Sequence, residues 1–370
     1  MSECPEISVI VPTFNESGNV EEVVQRLHEA LYGVAWEVIF VDDDSPDGTA
    51  DVVRTLGTTD RRVRVVHRVN RRGLSSACVE GMLSSSAPFL AVMDADLQHD
   101  EAILPDMLAA VRDQGFEIAV GSRYVQGGGI GDWSDQRRFV SRFATRLSRF
   151  VLKADLQDPM SGFFLLRREL LHEVVHELSG IGFKILVDIF ASAKRPLRFK
   201  ELPYRFRERL IGSSKLDGVV AWEYLMMLLD KSLGRYIPIR FIPFALIGGV
   251  GVFVHMAVLW LVFLAMGRSF LIGQSAAALV AMTTNFFMNN MFTYRDRRLR
   301  GWSLLRGWLS FTLACSVGAV ANVGIATYLF ESATLGDLGW VLSALAGILV
   351  GAVWNYAVTS VYTWSKPKAA

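Results

Sequence analysis

The sequence predicts an open α/β domain with a mostly parallel sheet, followed by an all-α domain of four membrane-spanning helices. Three observations carry this. Up to about residue 236, short β-prone apolar runs alternate with segments of helical periodicity. The β-prone runs lead into polar motifs, as in open parallel sheets whose ligands sit at the carboxyl ends of the strands. Beyond that point charge nearly vanishes outside a few short connections, and the whole chain reaches a mean hydropathy of +0.31.

The run 7–11 is the first strand, closed by Pro12-Thr13-Phe14-Asn15-Glu16. The segment 19–31 reads as a helix, with Val20, Val23, Val24, Leu27 and Leu31 at helical spacing. The second strand, 37–41, breaks into Asp42-Asp43-Asp44-Ser45-Pro46-Asp47-Gly48-Thr49. Carboxylates there can accept hydrogen bonds from a base or ribose. Equally, Ser-Pro and Asp-Gly are turn dipeptides, and Ser45 or Asp47 can cap the next helix. The segment alone leaves both readings open. A third strand covers 63–67 and a helix 73–85.

The fourth strand, 89–93, runs into Asp94-Ala95-Asp96-Leu97-Gln98-His99-Asp100. In an extended chain, side chains two apart share a face. Asp94, Asp96 and Gln98 then offer three oxygen ligands in one direction, a set suited to magnesium or manganese beside phosphates. A fifth strand, 118–120, ends in Gly121-Ser122-Arg123-Tyr124. After the glycines 127–129 and Gly131 comes Trp133 and a long helical stretch. Phe139, Val140, Phe143, Leu147, Phe150 and Val151 form one of its faces, and Arg138, Arg142, Arg146 and Arg149 another. Such a basic amphipathic helix can lie on an anionic membrane surface. Asp158-Pro159-Met160-Ser161-Gly162 leads into a strand at 163–166. A helix at 183–193 holds Asp188, read as a buried or capping acid, and a last strand covers 198–204. The basic segment 205–215, with Gly212, Ser213, Ser214 and Lys215, closes this half.

Some classes are disfavoured. The net charge of +1 gives no nucleic-acid signature. No GxGxxG or GxxxxGK[ST] follows a strand, which argues against a dinucleotide fold or a P-loop. Cys4, Cys78 and Cys315 show no pairing pattern, as expected in a reducing compartment. The N-terminus runs straight into a strand, so no signal peptide is expected.

The motifs PTFNE, VDDDSPDGT, DADLQHD and GSRY, in this order, resemble glycosyltransferase family 2 over roughly residues 5–220. With the later basic segment they look most like polyprenyl-phosphate hexose synthases of the dolichol-phosphate mannose synthase kind. The resemblance implies a GT-A type, Rossmann-like fold, a nucleotide-sugar donor and a divalent cation, Mg or Mn. It implies that Pro12, Phe14, Glu16, Val41 and Asp43 hold the nucleoside, with Ala95 also on the donor. Asp94, Asp96 and Gln98 would hold the metal. Arg123, Arg137 and Ser141 would bind the phosphate of a polyprenyl or dolichyl acceptor. Arg209, in the family's R-x-x-G-x-S-K segment, would grip the donor pyrophosphate, helped by Lys215. Asp158 and Ser161 are weaker candidates near the sugar. Phe14 stands where family members often have Tyr, and Asp100 where they often have Pro.

The second half begins with 219–233, too polar to span and read as an interfacial helix. Four charge-free runs follow, at about 241–267, 269–294, 307–330 and 338–365. Each exceeds the ~20 residues needed to cross a ~30 Å hydrocarbon core. The expected domains are thus 1–215, a linker at 216–236, and 237–370. Arg235, Arg240, Arg295, Arg297, Arg298, Arg300, Arg306, Lys366 and Lys368 flank one side, while Arg268, Glu331 and Asp337 lie on the other. The positive-inside rule places both termini and the catalytic domain in the cytoplasm. The spans also repeat: 285–294 (NFFMNNMFTY) matches 355–364 (NYAVTSVYTW), and the same spacing places Phe241 on Phe311 and Gly248 on Gly318. These spans resemble GtrA-type domains, which accompany lipid-linked sugar synthases.

Together these readings predict inverting transfer of a hexose, with mannose from GDP-mannose favoured, to polyprenyl phosphate at the cytoplasmic face. The alternatives are glucose from a uridine donor and, in another class, a lipid-linked sugar translocase with a regulatory soluble domain. A processive polysaccharide synthase is disfavoured, since no QxxRW motif follows the soluble core.

Overall fold

The computed structural model describes residues 4–129, 154–179, 184–207, 240–332 and 339–364, with Leu152, Met226 and Pro238. The chain divides into two compact units, Met1–Ser232 and Leu233–Ala370.

The first unit is built on one seven-stranded sheet. Its strands are β1 (Ile7–Thr13), β2 (Trp36–Asp42), β3 (Val63–His67), β4 (Phe89–Val92), β5 (Ile118–Ser122), β6 (Phe164–Arg167) and β7 (Phe199–Pro203). They lie in the order β3-β2-β1-β4-β6-β5-β7. Every pairing is parallel except those of β6, which runs antiparallel to β4 and β5. All seven residues of β1 and all seven of β2 are buried, as in a sheet covered on both faces. The alternation of strand side chains then divides the core. Ile10, Ile39, Val41, Leu90 and Val92 enter one cluster, with Ala77, Cys78 and Met82 of α3 (Leu74–Ser84) and Ile185, Leu186 and Ile189 of α6 (Ile185–Ser192). Val9, Val11, Val38, Phe40 and Ala91 enter the other, with Val20, Val23 and Leu27 of α1 (Val20–Ala30) and Met107, Leu108 and Val111 of α4 (Leu104–Arg112). Among the described residues the unit also holds helices α2 (Thr49–Thr59) and α5 (Arg168–Val174).

One helix sits closer to the sheet than a side chain permits. A Cβ on Gly81 of α3 would lie 2.6 Å from Ile10 Cγ2 and 2.7 Å from Val41 Cγ2. Those methyls belong to β-branched residues with stiff χ1 angles in fully buried strands.

The second unit consists of two helical hairpins. In the first, α7 (Phe241–Leu259) and α8 (Phe270–Met288) pack together, each continued by a π-helical segment, Trp260–Ala265 and Asn289–Thr293. The second pairs α9 (Trp302–Ser332) with α10 (Gly339–Tyr362). The four apolar runs fall on these four helices. Among the described residues, Phe241–Ala265 and Trp302–Val320 are long and apolar enough to cross a membrane. Val252, Phe253, Trp260, Leu313 and Val320 are exposed on them, the reverse of a water-soluble surface.

The sequence repeat has a structural counterpart. A Cβ on Gly251 would lie 2.4 Å from Asn285, and one on Gly318 would lie 2.0 Å from Asn355. Each hairpin thus closes a glycine against an asparagine, and the residues ending the two repeats, Tyr294 and Trp364, stack at 4.1 Å and 6°. The register is not the one the sequence spacing suggests, since Gly251 takes the role expected of Gly248.

Replacing Gly81 with alanine sets a helix-propensity gain of about 1 kcal/mol against overpacking of about 1–3 kcal/mol. Because both opposing methyls are held by buried strands, Gly81→Ala is expected to lower stability by about 1 kcal/mol net. Denaturant unfolding of the full-length protein in detergent, followed by near-UV circular dichroism, checks this; wild-type stability would show that Ile10 and Val41 can yield.

Candidate active site

The loops after β1, β2, β4, β5 and β7 leave the sheet at one edge, because those strands are mutually parallel. From β1 the strand order runs one way to β2 and β3 and the other way to β4. The carboxyl ends of β1 and β4 therefore flank a topological switch point, where open α/β sheets bind ligands.

On the β1–β2 side, Pro12 lies opposite Val41 in register, and the Asp43 amide donates to Thr13 O at 3.1 Å. Val41 is fully buried and its side chain belongs to the core. Asp43 Oδ1 accepts from Arg68 Nη1, and Oδ2 from the Gly73 amide, both at 2.7 Å. Burial raises the Asp43 pKa, and the Gly73 amide and the Arg68 charge oppose that shift. The Arg72 guanidinium lies 4.1 Å over the Phe14 ring, and Glu16 accepts from Asn19 Nδ2 at 2.7 Å. The remaining acids of the run stitch loops together. Asp42 accepts from Ser45, Asp44 pairs with His67 Nε2 at 3.0 Å, and Asp47 accepts from the Thr49 amide and hydroxyl and from the Ser17 amide. The turn reading describes Asp42 and Asp47, while Asp43 stands at the strand end in the grip of Arg68.

The β4 loop differs from its expected geometry. The strand stops at Val92 and Leu97 has φ 61°, so residues 94–98 form a turn and not an extended ribbon. Asp94, Asp96 and Gln98 are nevertheless arranged by specific bonds. The Asp94 amide donates to His99 Nδ1 at 3.1 Å, and the Gln98 amide donates to Asp96 Oδ1 at 3.2 Å. Gln98 Nε2 donates to Arg207 O at 2.9 Å, which leaves Oε1 as the acceptor available to a ligand. Asp96 and Gln98 are buried and Asp94 is part-exposed. His99 forms the floor, stacked on Phe163 at 5.1 Å and edge-on to Tyr204 and Phe206. Gly162 keeps space clear beside Asp94, since a Cβ there would lie 3.1 Å from Oδ2.

Two carboxylates and one amide oxygen fit a hard divalent cation, with the remaining positions left to diphosphate oxygens and water. Among the described residues no three His, Cys, Asp or Glu side chains converge. With Asp94 and Asp96, the amide of Gln98 is the third member of the expected donor set.

Beyond β5, Arg123 is buried and held by Asp158. Its Nε and Nη2 donate to the two carboxylate oxygens at 2.8 Å, and its amide adds a third bond at 3.0 Å. Burial opposes the Arg123 charge, but the bonds and charge of Asp158 raise its pKa overall. The Asp158 loop is in turn held by Glu201, which accepts from the Gln157 and Asp158 amides. Ser161 donates to Gly121 O at 2.7 Å and is a loop fastener. The glycine loop folds onto the same edge: a Cβ on Gly128 would lie 2.8 Å from Ser122 O, and Gly129 exchanges backbone bonds with Tyr204 and Phe206. Asp188, buried, accepts from the amide and hydroxyl of Ser179.

The structure therefore brings Pro12, Phe14, Glu16, Val41, Asp43, Asp94, Ala95, Asp96, Gln98 and Arg123 to one sheet edge. Arg137, Ser141, Arg209 and Lys215, the basic helix after Trp133 and the expected interfacial helix lie outside the described residues, Met226 excepted. Sequence reasoning missed Arg68, Arg72, His99, Glu201 and Arg207. His99 lies inside the DADLQHD motif and Arg207 in the basic segment 205–215, but nothing in either stretch signals its partners.

Comparison with known proteins agrees with both units. Residues 8–175 match the model for glycosyl transferase family 2, and residues 243–364 that for the GtrA/DPMS transmembrane domain. The chain is 36% identical over 361 residues to a dolichol-phosphate mannosyltransferase of Pyrococcus furiosus, covering 97% of this chain and 99% of that one. It is also 36% identical over 218 residues to a polyprenol monophosphomannose synthase of Mycolicibacterium smegmatis, covering 57% and 80%. Among solved structures, glucosyl-3-phosphoglycerate synthase of Mycobacterium tuberculosis aligns with a TM-score of 0.46 at 18% identity, covering 61% of this chain and 80% of that one. The similarity to the P. furiosus protein runs through both units without a break. The chain belongs to glycosyl transferase family 2, and is a glycosyltransferase whose catalytic domain is joined to a GtrA/DPMS-type membrane domain.

Proposed function

We propose that this protein transfers mannose from GDP-mannose to a polyprenyl phosphate at the cytoplasmic face of a membrane, with inversion at the anomeric carbon. The observation that carries the reading is the end-to-end similarity to the P. furiosus dolichol-phosphate mannosyltransferase. The site geometry supports it. The β1 and β2 loops offer Asp43 and the part-exposed Phe14 for the nucleoside, on the same edge as the β4 loop. A divalent cation held by Asp94, Asp96 and Gln98 would supply charge neutralisation to a departing diphosphate. Arg209 and Lys215 are proposed to add positive charge on the donor side.

Arg123, Arg137 and Ser141 are proposed to place the acceptor phosphate. Because Asp158 holds two of the Arg123 nitrogens, its guanidinium is oriented before any ligand arrives, and Arg137 and Ser141 supply the contacts it cannot. A phosphate oxygen is already anionic at neutral pH. The acceptor therefore needs orientation rather than a general base, unlike a hydroxyl acceptor. Single in-line displacement turns an α-linked donor into a β-linked lipid. The arginines flanking the helices support a multi-pass protein with both termini in the cytoplasm.

Membranes containing the protein, offered labelled GDP-mannose or UDP-glucose with polyprenyl phosphate, are expected to yield a mannosylated lipid that chelators abolish. A glucolipid would reassign the sugar, and no lipid product with either donor would overturn the proposed donor and acceptor. Asp96→Asn is expected to lower kcat/KM by about 10²–10³-fold, the scale of losing one charge-stabilising group; near-native activity in Mg²⁺ or Mn²⁺ buffer would remove Asp96 from the site. Asp158→Ala leaves a buried Arg123 without its partner, so a stability loss of about 3–5 kcal/mol is expected by thermal or denaturant unfolding.

A further inference from the structure

We propose that Arg207 is a positioning residue that sets Gln98 as a cation ligand and locks the β4 loop. The inference rests on the cation reading above and adds to it the group that shapes the site. Arg207 follows β7 and reaches four consecutive residues of the β4 loop. Its amide donates to Gln98 O at 2.9 Å, and its carbonyl accepts from Gln98 Nε2 at 2.9 Å. Its Nη1 donates to His99 O at 3.1 Å and to Glu101 Oε2 at 2.6 Å, and Nη2 donates to Asp100 Oδ1 at 2.7 Å.

The main-chain bonds decide which end of the Gln98 amide is offered. An amide has one acceptor oxygen and one donor nitrogen, and a cation needs the oxygen. With Nε2 engaged by Arg207 O, the oxygen is the end left for a metal. The side-chain bonds hold that carbonyl in place. They use two nitrogens of a planar fork in three directions, which a lysine ammonium does not reproduce.

The clamp also bears on the other two ligands. His99, whose carbonyl Arg207 holds, accepts from the Asp94 amide, and the Gln98 amide donates to Asp96. Arg207 further supplies positive charge to a loop rich in carboxylates. The Glu101 side chain is 3% exposed, and its other cationic neighbour, Arg26, lies 3.9 Å away. The departure at Asp100 gains a reason as well, since that carboxylate is a docking point for the Arg207 fork.

The test measures Mn²⁺ binding to the intact protein in detergent, by electron paramagnetic resonance of free Mn²⁺, without turnover. Groups that orient metal ligands typically cost 10–100-fold in affinity when removed. Arg207→Ala is expected to weaken Mn²⁺ binding by about 10–100-fold, with partial recovery in Arg207→Lys. The Mn²⁺ needed for half-maximal transfer should rise in parallel, with activity regained at high Mn²⁺. The paired variant Asp100→Asn/Glu101→Gln releases the fork from its far side, and should weaken Mn²⁺ in the same direction even if Arg207→Ala fails to fold. Unchanged Mn²⁺ affinity in a folded Arg207→Ala protein, or in the paired variant, overturns the proposal. Asp96→Asn separates the two readings. If it loses Mn²⁺ while the clamp variants keep it, only the role of Arg207 fails; if Asp96→Asn keeps Mn²⁺, the cation reading fails and takes this one with it.

Discussion

Two carboxylates, Asp94 and Asp96, stand one residue apart where a fully buried strand ends, and much of the first unit is arranged around that fact. The strand leaves a hydrophobic core, so the loop cannot relax into solvent without breaking its first residues out of the sheet. Its shape is instead imposed from several directions. His99 takes the Asp94 amide from below, the Gln98 amide takes Asp96 from within the loop, and Arg207 takes Gln98 from the segment that follows the edge strand β7. Gly162 leaves the space beside Asp94 clear.

The same logic extends along the sheet edge. Arg123 and Arg68, both buried, meet a carboxylate in each case, Asp158 and Asp43, and each pair joins segments distant in sequence. A buried ion pair is weak evidence for stability, because desolvation offsets the attraction. Here the pairs are better read as fixtures. Each fixes a charged group at the carboxyl edge of the sheet, which under the proposed function would lower the ordering cost of binding.

The strands and the polar motifs that follow them were legible in the sequence, because strands buried on both faces read as continuous apolar runs and each run ends abruptly. The chemistry of Asp94, Asp96 and Gln98 was legible too, but the geometric reason was not. Their spacing suggested an extended ribbon, whereas Leu97 adopts positive φ and a turn gathers the loop. Nothing local signals that choice, and the next residue, Gln98, is bonded to Arg207 more than a hundred positions away. The strand at β6 was predicted, but its antiparallel direction was hidden for a similar reason, since strand direction is set by the path of the chain. In the membrane unit, the duplicated motif was visible as text. Its register was not: Gly251 replaces Gly248 against Asn285 because close helix approach, not sequence spacing, selects the contact.

The proposed transfer requires the carboxyl end of β4 to bind a nucleoside diphosphate through a divalent cation. Calorimetric titration of GDP into the intact protein, with and without Mn²⁺, tests it most directly. Binding is expected to be at least about tenfold tighter with Mn²⁺, a gain of about 1.4 kcal/mol, and Asp96→Asn is expected to lose that gain. Equal GDP affinity with and without the metal would contradict it.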